Sequence, residues 1–188
     1  GFIEKEENLS HYGTCWIYDD ACVYENAKVT DDAHVCANAK VRENACIYDK
    51  AIINDLAEIY GSARIWEQAT VTNYARVYQC ASIHMNAYIY ANANIFGQAS
   101  IWSNAKVGGN AKIYGNAYVC GNAYIAGDAK IYEYSIISEN SIVDGYAEIY
   151  GNAEITGEAK IVGDARVYQN TDYIVFKNFW SSGRYFTW

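Results

Sequence analysis

Proline is missing from this chain of 188 residues. Turns without proline suit a fold in which nearly every backbone N–H joins a ladder, because proline cannot donate. Long apolar runs are missing too: none approaches the ~20 residues of a bilayer-spanning helix. No signal peptide is visible, although the chain opens at Gly1 without a methionine, as an excised fragment would. Six cysteines (Cys15, Cys22, Cys36, Cys46, Cys80 and Cys120) form no Cys-x-x-Cys pair. That excludes close-spaced zinc ligands and reads as reduced thiols in a cytoplasmic protein. Positive charge is short, with 14 Lys and Arg against 22 Asp and Glu. Histidine is scarce, at three residues.

What is present is a repeat. A small residue recurs at every sixth position from Ala21 to Thr171, and 23 of these 26 sites are Ala, the others being Ser135, Ser141 and Thr171. An aliphatic residue recurs with the same period from Ile17 to Val167, and all 26 sites are Ile or Val. No insertion interrupts them. Small–x–aliphatic is a short strand with alternate side chains inward. The two following positions are rich in Gly, Asn and Asp, which turn a chain at little energetic cost. Each hexad is therefore a strand and a corner, and period six matches no helical face.

A longer period fixes how the hexads are wound. The position after every third aliphatic residue, from Tyr24 to Tyr168, is aromatic in eight of nine cases, Arg42 being the exception. The two sister columns have two of nine and three of eight. The chain thus returns to one face at every third hexad, so three hexads make a coil. The expected fold is all-β, a triangular parallel β-solenoid of about 8–9 coils and ~40 Å at the ~4.8 Å strand spacing. Residues 15–171 form the solenoid. Residues 1–14 form an N-terminal cap and 172–188 an aromatic C-terminal cap, a β-hairpin of Tyr173–Trp180 and Arg184–Trp188 around Ser181–Gly183. A single coil cannot balance its own ordering entropy, so stability must come from stacking.

The hexad, Ile or Val followed four residues later by Ala with Gly-Asn between, resembles the bacterial transferase hexapeptide repeat across residues 15–171. The resemblance implies a single-stranded left-handed parallel β-helix. The head, Gly1–Ser10 leading to Cys15-Trp16-Ile17-Tyr18, resembles a narrower bacterial and prophage group that is called transferases by name without an assigned reaction. Acyltransferases of the wider family are usually trimers with a catalytic His and a loop protruding between coils. This chain has no such loop.

Catalysis has one weak candidate, His84, between Trp66 and Trp102 in its column, with no positioned partner visible in the sequence. His34 falls on a different face, and no metal or cofactor is expected. Corner positions carry 14 acids against Lys50 alone, nine of them before residue 70. Those acids read either as solubility devices or as a nucleic-acid mimic. The aromatic column reads as a ladder or as a binding face. Its site residues are Tyr60, Tyr78, Phe96, Tyr114, Tyr132 and Tyr150, with the bases Arg76, Lys112 and Lys130 beside them. Interleaved rings and bases suit a protein or polymer ligand, single-stranded nucleic acid among them. A third face is poor in charge. It carries Trp16, Ile52, Tyr88, Tyr124, Ile142 and Val162, with only Lys106, Asp144 and Lys160 charged, and suits self-association as a dimer or trimer.

The expected function is that of a non-catalytic binding or scaffold solenoid of bacterial or phage origin, with no membrane partner. One alternative is an acyltransferase-like enzyme with a site between subunits. Another is a phage inhibitor that presents an acidic surface to a host defence or nucleic-acid enzyme.

Overall fold

The computed structural model describes residues 1–177 and 185–188. Strands of mostly two residues stack into three parallel sheets of ten, nine and nine strands, one strand of each per coil. The first sheet begins at Phe2–Ile3 and Cys22–Val23 and ends at Arg166–Val167; the second runs from Leu9–Gly13 to Glu154–Ile155; the third runs from Trp16–Ile17 to Lys160–Ile161. From Trp16 onward every partner lies three hexads away with no slip, as in Glu58↔Arg76↔Asn94. The architecture is a three-sheet parallel β-solenoid.

The core is one continuous column of aliphatic side chains with alanines at the corners, almost all fully buried. Alanine is needed because the chain folds back at that point: its N–H donates to the carbonyl three residues earlier, as from Ala45 to Arg42 at 3.3 Å. Where serine replaces it, the hydroxyl makes a similar bond, from Ser135 to the Tyr132 carbonyl at 2.8 Å and from Ser141 to the Ser138 carbonyl at 2.6 Å. Neither buried hydroxyl is left unsatisfied.

Each corner from Asp19 to Gly163 opens with a residue of positive φ, 25 in all, of which fifteen are not glycine. That conformation costs an L-residue ~1–2 kcal/mol. Eight of the nine acids at this position share one role. Each carboxylate accepts the N–H of the equivalent residue one coil later, as Glu25 does from Glu43 at 2.7 Å and Glu133 does from Gly151 at 2.8 Å. Asn73 and Gln79 do the same with amide oxygens. The second corner position carries an amide ladder, Asn86 to Asn104 to Asn122 to Asn140 to Glu158, at 2.8–3.2 Å.

The head breaks the sequence pattern yet winds as a coil. Phe2 pairs with Cys22 and Leu9 with Val29, an offset longer than the three hexads that separate later partners. Buried Asn8 fastens it, donating to the carbonyls of Glu25 at 3.0 Å and Ala27 at 2.8 Å. At the other end Val175–Lys177 and Tyr185–Thr187 pair antiparallel. The expected turn at Ser181–Gly183 lies outside the described residues. The segment closes over the last coil through the Tyr173 hydroxyl, which donates to the Glu154 carbonyl at 2.7 Å, and the Thr187 hydroxyl, which accepts from Lys160 N–H at 2.6 Å.

Candidate interaction faces

The first sheet carries the aromatic column. From Tyr60 to Tyr150 neighbouring rings are parallel within 6°, with centroids 4.8–5.2 Å apart. Arg42, the non-aromatic member, continues the stack with its guanidinium 4.1 Å from the Tyr60 centroid. This spacing is set by the coil rise, and it closes both faces of every interior ring. No base or sugar can slide between rings already in contact; only ring edges and hydroxyls face outward. Burial pushes the phenols of Tyr60, Tyr78, Tyr114 and Tyr132 above the usual value.

The bases expected to steer a ligand are largely engaged along the same sheet. Arg76 lies 3.7 Å from Glu58, and Glu148 holds both Lys130 at 2.8 Å and Arg166 at 3.4 Å. The Lys130 bond holds the Glu148 carboxyl below its usual range and lifts the Lys130 ammonium above its own. Lys112 makes no ion pair among the described residues. The structure thus brings all nine expected site residues onto one face, but as a self-satisfied ladder.

The second sheet holds His84. It is stacked between Trp66 at 4.2 Å and Trp102 at 5.9 Å, and Tyr48 extends the pile beyond Trp66 at 5.6 Å. Burial pushes the His84 imidazole below its usual value, with Glu67 opposing. The Glu67 carboxylate lies 3.5 Å from Nδ1 but is bonded at 2.6 Å to the Met85 N–H, as a corner acid. With both faces covered and its carboxylate shared with the backbone, His84 is a rung rather than a poised base. His34 belongs to the third sheet, against Tyr18 at 5.3 Å. All six cysteines are unpaired, and burial raises the thiols of Cys15, Cys36 and Cys120, which makes them poor nucleophiles. The described residues contain no group of three or more His, Cys, Asp or Glu arranged to hold a metal ion. None of their helices is long and apolar enough to cross a membrane.

Eight of the nine corner acids before residue 70 accept from a backbone N–H, Asp20 being the exception among them. Asp55 shows the arrangement most fully: one oxygen accepts from Thr72 Oγ1 at 2.6 Å, Asn73 Nδ2 at 2.8 Å and Asn73 N at 3.0 Å. These bonds hold its carboxyl below the usual range. The sequence carried a signal for this role, acids recurring coil after coil at the first of the two corner positions, but its meaning depends on a backbone N–H that only the fold reveals.

The third face is different. Seventeen large apolar or aromatic side chains stand exposed among the described residues; nine of them lie on this face or the corner that follows it. They include Trp16 (57 % exposed), Ile52, Tyr88, Tyr124 and Val162 on the face and Leu56, Tyr74 and Tyr146 at the corner. A pad that the sequence analysis did not foresee lies at its centre. The ring of Tyr90 lies flat over Gly108, where a Cβ would come within 2.2 Å of it, and its hydroxyl donates to that of Tyr124 at 3.1 Å. Tyr88 stacks beside it at 5.3 Å. Burial and the Tyr124 bond push the Tyr90 phenol up to about 12. A glycine in an outward column, away from any corner, was the available sign.

Compared with protein-family models and with curated proteins, the chain matches none.

Proposed function

We propose that this chain is a non-catalytic binding or scaffold solenoid whose working surface is the charge-poor third face. The observation that carries the reading is the gathering of exposed apolar and aromatic side chains on that face. The other two sheets fold most of their outward-column aromatics into stacks, from Tyr60 to Tyr150 and from Tyr48 to Trp102. A charge-poor surface that exposes many apolar and aromatic side chains is what protein contacts use. The ionisable side chains are engaged rather than poised: His84 is stacked on both sides, Glu148 is held by Lys130 and Arg166, and most corner acids serve the backbone. The resemblance of the hexad to the bacterial transferase repeat supports a bacterial or phage source, and six free thiols support a reducing, cytoplasmic setting.

Two measurements test this. Incubated with acetyl- or succinyl-CoA, the purified chain is expected to release no free CoA; release that disappears in His84→Ala would replace the scaffold reading with the acyltransferase one. Hydroxyl-radical footprinting in host extract is expected to protect Trp16, Ile52, Tyr124 and Val162. Protection confined to the edges of the Tyr60–Tyr150 ladder would instead put the working surface on the first sheet.

A further inference from the structure

We infer that the partner of the third face is a second copy of this chain, laid antiparallel and face to face, with the two-fold axis at Tyr88. The inference rests on the reading of that face as the contact surface.

Register comes first. The nine strands of the third sheet follow one another without a slip, so the outward residues form a straight column. Two copies facing each other across a two-fold in the interface have two choices. With the axis along the rod, each residue meets the same level of its partner. Lys106, Asp144 and Lys160 would then each lie beside their own copies, three like-charge encounters. With the axis across the rod, the column meets itself reversed, and full overlap puts the fifth strand, Tyr88–Ile89, at the centre.

The reversed pairing is self-complementary. Tyr124 meets Ile52, Ile142 meets His34, Lys106 meets Thr70, and Lys160 meets the exposed ring of Trp16, a cation–π match. In the neighbouring column Val162 meets Tyr18 and Asp144 meets Cys36. No two like charges face each other in either column. At the centre two copies of the flat Tyr88–Tyr90 pad come together, where interfaces concentrate aromatic anchors. Two like pairs are brought level, Asp20 with Asp164 and Asp31 with Glu139; both lie at exposed corners, where salt screens them.

The area suffices. Nine strands at ~4.8 Å and about five residues of width give roughly 650 Å² per copy. Both copies together bury about 1,300 Å², within the range of specific interfaces.

The test uses charge at positions 70 and 106 in the full chain, read by sedimentation equilibrium. The wild type is expected to show a reversible monomer–dimer equilibrium. Thr70→Lys sets two lysine pairs against each other across the dyad and is expected to weaken the dimer at least tenfold. Adding Lys106→Glu to it should restore the dimer, and Thr70→Glu alone should tighten it. Ser82→Lys, on the second sheet, should leave it unchanged, and circular dichroism melts verify that each variant folds. A wild type that stays monomeric, or a dimer indifferent to Thr70→Lys or not restored by Lys106→Glu, overturns the inference. If the monomer's third face is still protected in host extract, the contact-face reading stands and only self-pairing fails; if it is unprotected, both fall.

Discussion

The corners show how two residue types divide the demands of one position. A corner needs positive φ, and the coil stacked on it needs an acceptor for an N–H that no ladder reaches. Glycine meets the first demand, as at Gly109 to Gly127; Asp and Glu meet the second and are held by it. The surplus of negative charge before residue 70 is then a consequence of backbone geometry. Asp55 offers a test through pH. Its folded carboxyl titrates below the unfolded value of ~3.9, so its contribution is complete above that value and disappears as pH falls through the folded value. Asp55→Asn keeps an acceptor but does not titrate. The wild type should melt above the variant at pH 7, and the margin should shrink below pH ~4 and vanish in strong acid; a margin constant with pH would rule out the role. Tyr90 offers another test. Gly108→Ala puts a methyl where the Tyr90 ring lies, on backbone that any residue can adopt. Spectrophotometric titration should lose one phenol at about 12 and gain one nearer the ordinary ~10; an unchanged curve would mean that the ring does not depend on the glycine.

At the scale of the element, the aromatic ladder is a strand-to-strand device. Replacing Tyr78, Tyr114 and Tyr132 together by Thr removes five of the six ring contacts between Tyr60 and Tyr168. At ~0.5–1.5 kcal/mol for each pair, about 2.5–7.5 kcal/mol is lost, so the melting temperature should fall by well over the few degrees expected of surface changes. A near-neutral triple variant would show that the rings serve a ligand instead. The column itself was legible because a period of three hexads needs only spacing: Tyr60, Tyr78 and Phe96 declare their common face wherever the coil closes. What the rings do was legible only as a choice between ladder and binding face. Whether they offer faces or close on one another depends on how each ring is turned about its side-chain bonds, which no spacing encodes. The head hid for a related reason: its longer offset breaks the repeat, while Ile3 and Leu9 still pack against the core. The Tyr90 pad joins Tyr90 to Tyr124, two coils away instead of one, and escapes any search at a single period.

The whole molecule is a one-dimensional stack. Within the three parallel sheets each strand pairs only with the strands one coil before and after it, so stability is a sum of neighbour terms, and a fault matters by where it falls. Ile95 lies fully buried at mid-rod, between Val77 and Ile113. Ile161 is also buried, but its strand is the last of the third sheet and pairs only with the strand that holds Val143. Phenylalanine at either site overpacks a column built for Ile and Val, at ~1–3 kcal/mol or more. At position 161 the rod has an inexpensive escape, because the terminal coil can fray and leave every other interface intact. At position 95 there is none: opening that coil breaks two interfaces and divides the rod. Ile95→Phe should therefore lower the melting temperature of the entire molecule and speed amide exchange on both sides of residue 95. Ile161→Phe should leave the main transition close to wild type and speed exchange only over residues 154–171. Equal damage from the two substitutions, read by thermal melts and hydrogen exchange, would mean that the solenoid folds as a single cooperative block rather than as a chain of neighbouring coils.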